Sequence, residues 1–185
     1  MLPLQDATTT AGQTAVTNTI NAMWPRDAGG TQVHIGMIWG WRMLSPNTPF
    51  GVNASGHPLS YANQTTPAWK KAIILMTDGQ EEWPDANQDT GLGYVSDGKI
   101  GTTNISTAVT NLGTRLQSVC DNMKASGHYL IYTIGLGASG SSNTALQNCA
   151  TAAPQGGYYA VTNTSQLNAA FQSIANSLLT LRLSQ

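Results

Sequence analysis

The residues best placed to do chemistry lie in one segment, "AIILMTDGQEEW", residues 72–83. An apolar run ends abruptly on Thr77, Asp78 and Gly79, and Glu81 and Glu82 follow at once. A short apolar run closed by a turn signal suits a strand buried on both faces of a parallel sheet. Open α/β sheets bind ligands at the C-terminal ends of such strands, so Asp78 is read as a carboxylate that serves a site. Six of the nine acids, Asp78, Glu81, Glu82, Asp85, Asp89 and Asp97, fall within twenty residues, and none follows Asp121. Two readings of this cluster stay open: a solvated loop, or a cation site beside Asp78.

Other patterns imitate known sites only in part. Gly135, Gly137 and Gly140 in "GLGASG" have dinucleotide-loop spacing between a strand and a helix. A nicotinamide site also needs an acid about 20 residues further on, and the sequence has none there. They are read as a permissive strand-to-helix turn. "DANQDTGLGYVSD" places Asp85, Asn87 and Asp89 like the first ligands of a calcium loop. Thr90 stands where that loop requires Gly, however, and Ser96 where it requires Glu. His34, His57 and His128 lack zinc spacing and are read as structural or surface residues. No G-x-S-x-G elbow occurs. Glu81 and Glu82 could act as the acid and base of a hydrolase, although adjacent loop residues rarely face one cleft.

The elements that must position these residues follow from apolar periodicity. Residues 2–5 read as a strand edge, and Val16, Ile20, Met23 and Trp24 as a helix behind a Thr-rich start. A second, short helix begins just after Thr31, with Ile35, Ile38, Trp39 and Arg42 as one stripe. Residues 45–69 form a long Pro-rich loop, 70–77 a strand, and 80–104 another loop. Ile105, Val109, Leu112, Leu116, Val119 and Met123 mark a strong amphipathic helix ending at Gly127. A strand at 129–137, a short helix at 141–150, a strand at 157–162 and a last helix follow. That helix turns Leu167, Phe171, Ile174, Leu178 and Leu181 inward. Alternating strands and helices imply crossovers and a mainly parallel sheet.

Composition narrows the function classes. The 185 residues are the length of one domain, and 41% hydrophobic content supports a core. Only 9% are charged, against about 25% in typical domains, a flavour of extracytoplasmic proteins. A net charge of −1, with no basic cluster beyond Lys70-Lys71, lacks the footprint of a nucleic-acid binder. No apolar stretch reaches the roughly 20 residues of a membrane span. Cys120 and Cys149 are either two buried thiols or, since their helices are predicted to be neighbours on one sheet face, a disulfide; the disulfide is the favoured reading, and if it forms the compartment is oxidising.

The motifs "IILMTDG", "GGTQVHIG" and "IYTIGLG", with the last helix, resemble the C-terminal two-thirds of a von Willebrand factor A domain. More narrowly, "WGWRMLSPNTPF", "KKAIILMTDG", "VCDNMKASG" and "LQNCAT" resemble the A-type domain of TadG-like proteins of bacterial tight-adherence (Flp) pilus assembly. The resemblance implies a doubly wound, mostly parallel sheet with helices on both faces and a metal-ion-dependent adhesion site at the strand C-termini. That site takes Asp-x-Ser-x-Ser after the first strand, a Thr from a second loop and an Asp from a third. Thr31 matches the second loop and Asp78 the third, and their oxygens suit Mg²⁺ or Mn²⁺.

One departure shapes the expectation. No Asp-x-Ser-x-Ser follows a buried strand; "DATTT", with Asp6, Thr8 and Thr10, imitates its chemistry but lies only one helix before Thr31. This segment is read as the family's third, edge strand. Residues 1–185 are then a single partial domain without its first strand, first helix and second strand. The implied function is a non-enzymatic binding or adhesion module, outside the cytoplasm and anchored to a membrane through a preceding segment. Its metal site is incomplete, and its partner is a protein, a pilus or assembly component, that offers a carboxylate. The loops 45–69 and 80–104 would set specificity, and their aromatic residues Trp69, Trp83 and Tyr94 are compatible with contacts to a pilin, another assembly protein or a surface polymer. The alternative is a purely structural A-type domain in which Asp78 caps its turn.

Overall fold

The computed structural model describes residues 2, 4–24, 30–47, 58–62, 71–137 and 141–183. Three strands, β1 (Lys71–Thr77), β2 (Tyr129–Leu136) and β3 (Gly157–Val161), form one parallel sheet in the order β1-β2-β3. Lys71 pairs with Tyr129 and Thr77 with Gly135, and Tyr132 pairs with Gly157. The helices are α1 (Thr10–Asn21), α2 (Val33–Leu44), α3 (Ile105–Ala125), α4 (Ser141–Cys149) and α5 (Thr164–Leu183). This is an α/β architecture in which α3 and α4 are the crossovers.

The sheet is central because β2 is apolar at nearly every position, and the hydroxyl of its buried Thr133 donates to Leu146 O at 2.8 Å. Its residues are buried from Tyr129 to Gly135, as a strand covered on both faces requires. One face packs Ile73, Leu75 and Ile131 against Met37 of α2, Leu116, Cys120 and Met123 of α3, and Leu146 of α4. The other packs Leu130, Tyr132 and Ile134 against Ala170 and Ile174 of α5. Cys120 and Cys149 are joined in a disulfide between α3 and α4, as expected.

β1 lies at a sheet edge among the described residues, and its outer face is thinly covered. Ile74 and Met76 are 40% and 48% exposed, because α5 packs over β2 and β3.

Several expectations about the elements need correction. Residues 4–6 form no strand. Asp6 accepts from the backbone N–H and hydroxyl of Thr8 at 2.9 and 2.6 Å, and Thr9 caps α1 by accepting from Gly12 N–H. The "DATTT" segment is thus a local turn and helix cap, the structure Asp and Thr favour ahead of a helix. α1 forms, but Val16, Ile20, Met23 and Trp24 are exposed, and the helix makes no extensive contact with another element among the described residues. α2 buries Val33, His34 and Met37 instead of the Ile35/Ile38/Trp39/Arg42 stripe, with Trp41 and Leu44 partly buried beside them. Its sequence is apolar nearly all round, so the packing partner decides the phase. Phe171 of α5 is exposed where an inward position was expected, and Ala170 is buried next to it. The Leu181 side chain lies outside the described set.

The loop 80–104 is also more built than its composition suggests. Trp83, Val95 and Ile100 are buried against Ala108 and Leu112 of α3, and a helical turn spans Val95–Asp97.

Candidate functional site

The C-terminal rim of the sheet brings together two segments far apart in sequence: residues 30–34, which lead into α2, and residues 77–82, which leave β1. Thr77 closes the turn after β1. Its hydroxyl accepts from Gly79 N–H at 3.1 Å and donates to Gly79 O at 2.9 Å. Asp78 sits within that turn, exposed, and its carboxylate has no hydrogen-bond or ion-pair partner among the described residues.

The α2 segment is clamped against this turn. Thr31 O accepts from Glu82 N–H at 2.7 Å. A β-carbon on Gly79 would stand 3.6 Å from the Thr31 hydroxyl, so the Thr-Asp-Gly turn and Thr31 are in near contact. Gly30 makes the clamp possible, since its φ is 59° and a β-carbon there would lie 2.6 Å from Glu82 O. The Thr31 hydroxyl, like the Asp78 carboxylate, is unengaged by other described residues.

The third fastening is a buried carboxylate. Glu81 is 8% exposed and His34 2%. Glu81 Oε2 accepts from Val33 N–H at 3.1 Å and Oε1 from His34 N–H at 2.9 Å, and His34 Nδ1 is 3.3 Å from Oε1. α2 needs this cap, because Gln32 at its N-cap position makes no side-chain capping bond. A negative charge there also opposes the positive end of the helix dipole.

Glu81 therefore departs from both readings of the acidic cluster: it is neither solvated nor aimed at a ligand. Glu82 is exposed, so the two glutamates do not share a cleft. Trp83, expected as a contact residue, is 3% exposed and is a core residue instead. Tyr94 is exposed, and Trp69 lies outside the described residues.

The remaining candidates are local structure. Asp85 accepts from Asn87 N–H at 2.7 Å in an exposed turn, and Thr90 and Gly93 bridge each other. Gly137, with φ 61°, leaves β2 and donates its N–H to Val161 O at 2.7 Å. Gly140 and His57 lie outside the described residues. His128 stacks on Tyr61 with ring centroids 4.2 Å apart.

The fit of the rim to a divalent cation is partial. Asp78 and Thr31 would offer one carboxylate and one hydroxyl, both oxygen donors of the kind hard cations select. No group of three or more His, Cys, Asp or Glu side chains that could hold a metal occurs among the described residues. Mg²⁺ commonly keeps several waters and needs only one or two carboxylates from the protein, so a two-residue contribution is compatible with weak binding.

The sheet and rim define an open, parallel α/β protein with a candidate ligand edge at its strand C-termini. No protein-family model, curated protein or solved structure matches the chain. No helix among the described residues is long and apolar enough to cross a membrane.

Proposed function

We propose that the chain is a non-enzymatic binding module of the von Willebrand factor A type, associated with pilus assembly outside the cytoplasm. In this reading Thr31 and Asp78 are two oxygen ligands of an Mg²⁺ or Mn²⁺ ion. When bound, the ion offers an open position to a carboxylate of a protein partner. Asp78 supplies charge, Thr31 a neutral oxygen, and Glu81 keeps the two loops in register from behind.

The observation that carries the reading is the near contact of Thr31 with the Thr-Asp-Gly turn, fastened by the Glu82 N–H to Thr31 O bond of 2.7 Å. That two segments separated by more than forty residues meet at the strand C-termini supports matching them to the second and third loops of the resemblance. The strand order and parallel sense also accord with the family's second half. In the family, the strand bearing this Asp lies beside a central strand carrying Asp-x-Ser-x-Ser, and β1 has its edge open on that side among the described residues. The remaining metal ligands are then waters, the partner carboxylate and groups outside the described sheet. The Cys120–Cys149 disulfide and the charge-poor composition support an oxidising, extracytoplasmic location.

The lack of a third acidic or histidine ligand among the described residues favours one competing reading, a structural A-type domain that binds no metal. Calorimetric titration of Mg²⁺ and Mn²⁺ into the chain and into Asp78→Ala separates the two. Binding heat from the chain that disappears in the variant supports the metal site. Absence of heat from both supports the structural reading.

A further inference from the structure

We propose that a cavity at the opposite end of the sheet from Asp78 binds a small aromatic carboxylate. The cavity measures about 410 Å³, within the roughly 300–1,000 Å³ typical of small-molecule sites. It lies beside the C-terminal half of α2, where Ile38, Trp41 and Val119 form apolar walls and Arg42, Ser45 and Tyr61 contribute polar groups.

The walls are held by aromatic packing. Trp41 and Tyr61 both meet the Tyr129 ring edge-on, with centroids 6.4 and 6.2 Å away, and Tyr61 stacks on His128. Flat, pre-positioned rings of this kind favour a ring-bearing ligand.

The polar groups select the charge. Arg42 is held over the Trp39 ring at 5.5 Å, a platform that restrains its guanidinium. That guanidinium has no carboxylate partner among the described residues. Tyr129 and Tyr61 hydroxyls are 2.6 Å apart, and Tyr61 donates to Ser45 Oγ at 3.4 Å. With Tyr129 donating to Tyr61, and both Tyr61 and Asn47 N–H donating to Ser45 Oγ, the Ser45 O–H makes no donor bond among the described residues. A guanidinium with no carboxylate partner and a hydroxyl with a free proton among the described residues, both at the edge of an apolar cavity, are complementary to the two oxygens of one carboxylate. The same "WGWRML" stretch that carries Trp41 and Arg42 has no part in the rim bearing Asp78.

The test uses the whole chain with two probes of nearly equal shape, phenylacetate and its neutral analogue phenylacetamide, followed by amide NMR shifts. Phenylacetate is expected to shift the Trp41 indole and the Val119 amide with millimolar affinity, and phenylacetamide to bind at least about tenfold more weakly. Arg42→Gln, an exposed substitution that leaves the core intact, is expected to erase the preference for the acid. Val119→Trp fills the cavity and is expected to abolish both responses. Asp78→Ala is expected to leave phenylacetate binding unchanged, so a failed rim and a failed cavity are told apart. No shift with phenylacetate overturns the proposal. Equal affinity for acid and amide, or an acid preference that survives in Arg42→Gln, overturns it as well.

Discussion

Glu81 grips His34 at two points: Oε1 accepts the His34 backbone N–H at 2.9 Å and lies 3.3 Å from the ring Nδ1. With Val33 N–H also donating to Oε2, a residue of the loop after β1 performs the capping that the residues before α2 do not. The rim bearing Thr31 and Asp78 is therefore held from beneath, by a buried carboxylate engaged with Val33 and His34.

Removing that carboxylate strands two buried amide donors and an imidazole. Glu81→Ala is expected to cost about 2–4 kcal/mol, the range for deleting a charged acceptor from a buried network. Glu82→Ala, at an exposed neighbour, should stay within about 0.5 kcal/mol. Urea unfolding of the two variants checks the contrast. Similar losses from both would show that the Glu81 contacts contribute little.

Gly30 predicts a second, backbone-level effect. Its φ of 59°, and the 2.6 Å that would separate an added β-carbon from Glu82 O, leave no room for a side chain. Gly30→Ala should destabilise the fold by about 1–3 kcal/mol and shift the Thr31 and Glu82 amide resonances. Gly36, with nothing within 4 Å of its β-position, is the control. Gly36→Ala, inside α2, should be neutral or stabilising by up to about 1 kcal/mol.

The Cys120–Cys149 bridge closes a loop with a sequence separation of 29. On the chain-entropy account such a loop contributes on the order of 3 kcal/mol. The Cys120→Ser, Cys149→Ser double variant should lose about that much in urea unfolding under non-reducing conditions. The wild-type chain should fall to the same stability once reduced.

Tyr129 gives the pH prediction. Its phenol is pushed far above the ordinary 10.0, first by burial and then by the hydrogen bond and charge of Tyr61, while a hydrogen bond from Trp41 acts the other way. A group whose folded pKa is raised contributes stability that is complete below its unfolded pKa and is lost as pH rises toward the folded value. Unfolding free energy should thus decline above about pH 10, and less steeply in Tyr129→Phe. Lys71, whose pKa burial lowers, acts in the opposite sense but is common to both proteins. Equal slopes in the two proteins would refute the assignment.

The strands and helices are legible in the sequence because each rests on a local pattern. "YLIYTIGL" is apolar at nearly every buried position, and the inward residues Leu112, Leu116 and Met123 of α3 recur at helical spacing. The side chains that build the rim are less so, since their roles are set by partners distant in sequence. Glu81 looks like one acid of a polar loop, and only the missing cap at Gln32, 49 positions earlier, hints that α2 takes its acceptor from elsewhere. Trp83 reads as an exposed loop aromatic until Val95, Ile100 and Leu112 close around it. The Arg42 stripe misses the buried face of α2 because that helix offers apolar residues on nearly every side. Asp78 is marked by its place at the end of an apolar strand, Thr31 comes from the family resemblance, and the fold sets their loops side by side.

The most direct test of the central claim is Mn²⁺-induced broadening of backbone amides in the whole chain and in Asp78→Asn. The account predicts selective broadening at Thr31, Asp78 and Gly79 at low Mn²⁺, strongly reduced in the variant and reversed by excess Mg²⁺. Broadening that centres on another acid such as Asp85 or Asp97, or that persists unchanged in Asp78→Asn, would contradict it.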